Sequence, residues 1–118
     1  MNLLKQTPIR NSLTHNSKFT THSIPMELRQ LKYFLKAKEL LNFTEAAEQL
    51  HISQSTLSQQ IKQLEDELNI PLFNRIGKRI TITEAGALFA DFAFQSINKA
   101  QDGLLMLRDL HNFQTGKI

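Results

Sequence analysis

Residues 42–67 read NFTEAAEQLHISQSTLSQQIKQLEDE, two apolar helical patterns separated by only Leu50, His51, Ile52 and Ser53. So short a break between amphipathic segments is the signature of a helix-turn-helix, and it points to sequence-specific binding of duplex DNA. In the second pattern Leu57, Ile61, Leu64 and Leu68 recur at the 3.6-residue period and define a buried stripe. Ser55, Ser58, Gln59 and Lys62 share the opposite face, which therefore carries hydrogen-bonding groups suited to base edges. Ser53 is placed to cap the helix, whose free N–H groups and partial positive charge favour a phosphate. No Asp or Glu lies between Glu48 and Glu65, so the acids Glu65, Asp66 and Glu67 fall beyond the turns that would enter a groove.

An ordinary helical hairpin with a solvated polar face would show the same periodicity. The next stretch, PLFNRIGKRITITEAG at residues 71–86, favours DNA. Leu72–Ile76 and Arg79–Thr83 read as short strands around Gly77-Lys78, with Gly77 able to take positive φ. Arg75, Lys78 and Arg79 place three cations within five residues. A hairpin does not need that density to fold, but a phosphate backbone or minor groove would attract it.

From Met26 onward these motifs, in this order, resemble the N-terminal region of LysR-type transcriptional regulators. FTEAAEQL is similar to the first helix of that family's motif, ISQSTLSQQIKQLEDELNIPLF to its recognition helix and exit, and RIGKRITITEAG to its wing and entry to a linker helix. The resemblance implies a mainly α fold: a winged helix-turn-helix of three helices and a short β-wing, followed by a long dimerisation helix. It implies that Gln54, Ser55, Thr56, Ser58 and Gln59 face the major groove and that Arg75 and its neighbours Lys78 and Arg79 hold the wing to the backbone. Thr44, Ser53 and Lys62 complete the expected DNA-facing set. Many family members carry Arg where this chain has Gln59. Gln can pair bidentately with adenine but cannot grip guanine O6/N7 as Arg does.

Upstream of the motif, Leu28, Leu31, Phe34, Leu35 and Leu41 predict an amphipathic helix ending near Asn42, packed on Ala46, Ala47 and Leu50. Asn42 or Thr44 would cap the next helix, and His51 suits a turn position with positive φ. Downstream, Thr83 reads as the cap of a last helix running from Ala85 to about Leu110. Phe89, Ala93, Ile97, Ala100, Leu104 and Leu107 follow at gaps of 4, 4, 3, 4 and 3, close to a coiled-coil seam, and predict a homodimer. Phe92 and Phe94 lie off that seam, so at least one is expected to pack back on the first helix.

Composition bounds the rest. The 118 residues, 41% of them hydrophobic, allow one small domain and an extension. The formal charge is +3, and Lys5, Arg10 and Lys18 account for it within residues 1–25. The remaining eleven basic and eleven acidic residues balance, so basicity in the domain is local to the wing. Residues 1–25, rich in Ser, Thr and Asn, predict a flexible extension; 26–83 predict the winged domain and 84–118 the linker helix. There is no cysteine, and His15, His22, His51 and His111 are scattered, so neither a disulfide nor a metal is implied. Four dispersed glycines make no phosphate loop, and no nucleophile–base pair or carboxylate pair stands out, so neither an enzyme nor a cofactor is expected. No apolar run approaches a membrane span, and a soluble, cytoplasmic, nucleoid-associated protein is expected.

In the resembled family a larger effector-binding domain follows the linker helix. The chain is read as an excised DNA-binding fragment, or else a naturally short regulator, with no small-molecule effector site of its own. The competing reading is a protein-interaction module that heterodimerises with a longer relative; it would suit a neutral or acidic recognition face, which Gln54 to Lys62 does not supply.

Overall fold

The computed structural model describes residues 26–116. Their elements are α1 (Leu28–Leu40), α2 (Phe43–Leu50), α3 (Gln54–Leu68), β1 (Phe73–Ile76), β2 (Arg79–Ile82) and α4 (Glu84–Thr115). The expectation for residues 1–25 lies outside the described residues.

Local chemistry sets each boundary. The first three helices all stop on a residue in the left-handed region: Leu41 at φ 49°, His51 at 60° and Asn69 at 59°. Asn and His tolerate that conformation, whereas Leu gains nothing local from it and adopts it because the chain must turn sharply into α2. Asn42 rather than Thr44 caps α2, its side chain accepting the Glu45 N–H at 2.9 Å. Ser53 caps α3 by accepting the Thr56 N–H at 3.0 Å, and Thr83 caps α4 by accepting that of Gly86 at 2.9 Å. The strands are each one residue shorter than the sequence suggested, because Leu72 and Thr83 are engaged at the root of the hairpin. Phe73 pairs with Ile82 and Ile76 with Arg79, leaving Gly77-Lys78 as a two-residue turn with positive φ at Gly77. That is the geometry in which glycine at the first turn position matches the strand twist.

One aromatic-rich core joins all of these pieces. Leu31, Phe34 and Ala37 of α1 meet Phe43, Ala46 and Ala47 of α2, and Leu57, Ile61 and Leu64 of α3. Leu72 and Phe73 at the root of the wing close one side. The Phe34 ring sits 5.6 Å from that of Phe73 and 5.4 Å from that of Phe89, while Phe43 meets Phe73 edge to face at 5.5 Å. Alanines at positions 37, 46 and 47 let α1 and α2 approach closely enough for these larger groups to interlock.

The last helix departs from expectation. Neither Phe92 nor Phe94 enters the core; both remain exposed, and Phe89, Ala90 and Ala93 pack back on the domain instead. Its N-terminal half is therefore part of the winged domain's core, with Ile97 half-buried against it. From Leu104 onward the apolar side chains are exposed. No helix among the described residues is long and apolar enough to cross a membrane.

Candidate nucleic-acid interface

The first two turns of α3 present a polar surface whose side chains restrain one another. Ser53 Oγ, besides accepting the Thr56 N–H, lies 2.8 Å from Thr56 Oγ1 and 3.2 Å from Ser55 Oγ. One turn on, the Gln54 side-chain amide donates to Ser58 Oγ at 3.0 Å. Gln54, Ser55, Thr56 and Gln59 are exposed and Ser58 is half-buried. The opposite side of the helix is consumed by Leu57, Ile61 and Leu64, all fully buried. α3 therefore cannot roll about its axis, and the polar surface is fixed in orientation by the core.

Other expected residues are placed less uniformly. Thr44 is exposed near the start of α2. Lys62 pairs with Asp66 at 3.0 Å, but both side chains are about two-thirds exposed, a class of pair worth only about 0.3–0.5 kcal/mol. That bond is easily exchanged. Lys78 and Arg79 are exposed at the hairpin tip, and the described residues give neither an ion-pair partner.

Arg75 is different. Its Nη1 lies 3.7 Å from Glu65 Oε1, and its guanidinium carbon sits 5.2 Å from the centre of the Phe43 ring. Glu65, grouped in the sequence with Asp66 and Glu67, is buried, and its Oε2 accepts the backbone N–H groups of Leu72 at 2.7 Å and Phe73 at 3.1 Å. The signal for this was present. Glu65 lies four residues after Ile61 and next to Leu64, so the same period that defines the buried stripe carries it inward. Gly86 was also missed as a structural position: a Cβ there would overlap the Leu72 carbonyl oxygen and come within 2.6 Å of Ile82 Cδ1.

The expected dimer seam divides. Ala93 is fully buried in its own domain and Phe89 and Ile97 are half-buried there, so the same chain already covers much of this part of the seam. Leu104 and Leu107 are exposed, and Ala100 and Leu104 line a shallow groove with Leu28 and Lys32 of α1.

A capped helix pair joined by a left-handed turn, followed by a two-stranded wing and a long helix, is matched in sequence by the profile described as bacterial regulatory helix-turn-helix protein, lysR family, over residues 28–87. The chain belongs to the LysR family. Among similar proteins, the HTH-type transcriptional regulator BudR of Klebsiella aerogenes is 50% identical over 93 residues, covering 79% of this chain and 65% of that one. The Hca operon transcriptional activator HcaR of Escherichia coli is 41% identical over 85 residues, covering 72% of this chain and 29% of HcaR. This LysR-family chain thus spans less than two-thirds of either relative. Among solved structures, the BenM DBD in its complex with benA site 1 DNA superposes with a TM-score of 0.70 at 36% identity, covering 73% of this chain and 97% of that one. The winged fold expected from the sequence is the fold of this family.

Proposed function

We infer that this LysR-family chain binds duplex DNA with α3 in the major groove and the wing tip on the backbone or minor groove, as the DNA-binding part of a dimeric transcription regulator. The observation that carries the reading is the exposed, acid-free surface of the first turns of α3, set in place by a fully buried opposite stripe, in a fold shared with the BenM DBD–DNA complex. Gln54, Ser55, Thr56, Ser58 and Gln59 are assigned to base edges. Ser53, Thr44 and Lys62 are assigned to the flanking phosphates, and Lys78 and Arg79 to the contact at the wing tip. The working unit is residues 26–83 together with the first turns of α4, which share its core.

Binding to random-sequence duplex should weaken steeply with salt, because each neutralised phosphate releases counterions. Lys78→Ala is expected to weaken binding to all duplexes about equally and to reduce the log–log salt slope by roughly one unit. Binding indifferent to salt would favour a protein-interaction module instead.

We place the homodimer contact on a second stripe of α4 rather than on the expected seam. Leu88, Phe92, Gln95, Lys99, Gly103, Met106, Leu110 and Phe113 follow at gaps of 4, 3, 4, 4, 3, 4 and 3, which keeps them on one side of the helix. The apolar members are left open, from Phe92 at 49% exposed to Leu88 at 71% and Phe113 at 79%. Single exposed apolar residues need no partner, but two exposed apolar clusters on one side of a helix, Leu88 with Phe92 and Met106 with Leu110 and Phe113, suit one. Asp at Phe92 and Leu110 together should give a folded monomer by sedimentation, whereas Asp at Ile97 should unfold the domain. An unmodified chain that stays monomeric at high micromolar concentration would remove this assignment.

A further inference from the structure

We propose that Glu65 and Arg75 are positioning residues that lock the wing to the recognition helix, so that Lys78 and Arg79 meet DNA in fixed register with α3, and that Arg75 is not itself a phosphate contact. The proposal rests on the DNA-binding reading given above and departs from the backbone contact that the family resemblance implied for Arg75.

Three observations converge on it. Glu65 is a carboxylate on α3 with a side chain only 8% exposed, and an unpaired buried charge is expensive enough that its partners are fixed. Those partners all belong to the wing: the Leu72 and Phe73 N–H groups on Oε2, and the Arg75 guanidinium facing Oε1. On its other side Arg75 lies over Phe43 of α2, whose ring is packed edge to face on Phe73. The helix that reads and the helix that precedes it therefore clasp one wing residue between them. Arg75 pairs with Ile80 across the hairpin, next to the pair Ile76–Arg79 and the Lys78 turn, so fixing its side chain fixes the tip. With 42% of its side chain exposed, Arg75 is accessible, but its charge already neutralises Glu65. A phosphate would have to compete for it.

Charge arithmetic and positioning make opposite predictions for Glu65→Gln. The amide oxygen can still accept both N–H bonds, while the negative charge beside Arg75 disappears. If Arg75 gripped phosphate, losing that competing charge would leave binding unchanged or tighter. If the pair positions the wing, binding of a random-sequence duplex at low salt weakens about tenfold, the worth of a misplaced charge-assisted contact. The penalty for Lys78→Ala should then largely vanish in the Glu65→Gln background, because the wing contact is already lost, whereas independent contacts would add. Preference among sequences, set by α3, should survive. A domain loosened throughout would lose that preference too.

Hydrogen exchange on the free protein supplies an arm that needs no DNA. Amides of residues 75–79 should exchange faster in Glu65→Gln while those of α1 do not change. Arg75→Met, which keeps an apolar stem on Phe43, should likewise speed wing exchange and abolish the Lys78→Ala penalty, and these two readouts serve as the test if Glu65→Gln fails to fold. Equal or tighter binding, an undiminished Lys78→Ala penalty, or unchanged wing exchange would each overturn the proposal. An unaltered chain that binds no duplex at low salt would overturn the DNA-binding reading beneath it. Faster wing exchange with unaltered binding would overturn the positioning role alone.

Discussion

Phe34→Ala is expected to lower the unfolding free energy by about 3–5 kcal/mol, the range for removing a fully buried aromatic from a packed core. The ring is completely shielded and joins three segments distant in sequence, lying against Phe73 at the start of the wing and Phe89 of α4 while belonging to α1. Its loss leaves a cavity at the point where those segments meet, which collapse of any one of them cannot fill. Small domains are stable by only about 5–15 kcal/mol, so most of the margin would go. Urea unfolding of the unmodified chain and the variant measures this directly. The exposed Phe94 provides the contrast, and Phe94→Ala should fall within about 0.5 kcal/mol of the parent. A loss at Phe34 below about 1.5 kcal/mol would mean that α4 does not rest on α1 as described.

The second large effect turns on two glycines in the same helix that should respond with opposite signs. Alanine is the better helix former by about 0.5–1 kcal/mol, so Gly→Ala at an unobstructed helical site stabilises. Within one chain Gly103 is such a site, with no atom within 4 Å of an added Cβ. At Gly86 the added carbon would strike the Leu72 carbonyl oxygen, which accepts the Thr83 N–H at 3.0 Å and so cannot swing aside. Ile82 blocks a second direction. Overpacking against backbone costs about 1–3 kcal/mol or more and exceeds the propensity gain. Gly86→Ala should therefore lower the melting temperature and shift the wing root relative to α4, while Gly103→Ala, made in the monomeric chain carrying Asp at Phe92 and Leu110 so that no partner faces it, should raise it. Thermal denaturation of both variants in one buffer tests the sign of each, and stabilisation by Gly86→Ala would contradict the close approach of α4 to Leu72.

Much of this architecture could be read from the sequence because it depends on short-range rules. The interval from Leu50 to Ser53 is too short for anything but a tight turn, His51 takes the left-handed conformation expected of it, and Ser53 and Thr83 cap the helices that follow them. Gly77 turns the hairpin as its neighbours require. What escaped notice depends on tertiary contact. A heptad-like spacing shows that Phe89, Ala93 and Ile97 share a side of α4 but cannot tell whether a second chain or the same domain covers that side; here the core of the same domain does. Lying off the seam, at least one of Phe92 and Phe94 is expected to pack back on the domain, yet both stay exposed, and Phe89, Ala90 and Ala93 fill that place. Glu65 was grouped with Asp66 and Glu67 by charge, although the helical period separates it from them and turns it inward.

The central claim is that α3 reads sequence while the wing tip grips the backbone, and a selection from randomised duplexes, run with the unaltered chain and with Gln59→Arg, tests it most directly. The chain should recover a motif with two-fold symmetry, its half-sites about one helical turn or a multiple of that apart. Gln59→Arg should shift the preference toward guanine at symmetry-related positions, since a bidentate contact discriminates by about 1–3 kcal/mol. If the variant instead tightens binding to every duplex alike and leaves the selected motif unchanged, residue 59 lies on phosphate and α3 is not placed in the groove as proposed.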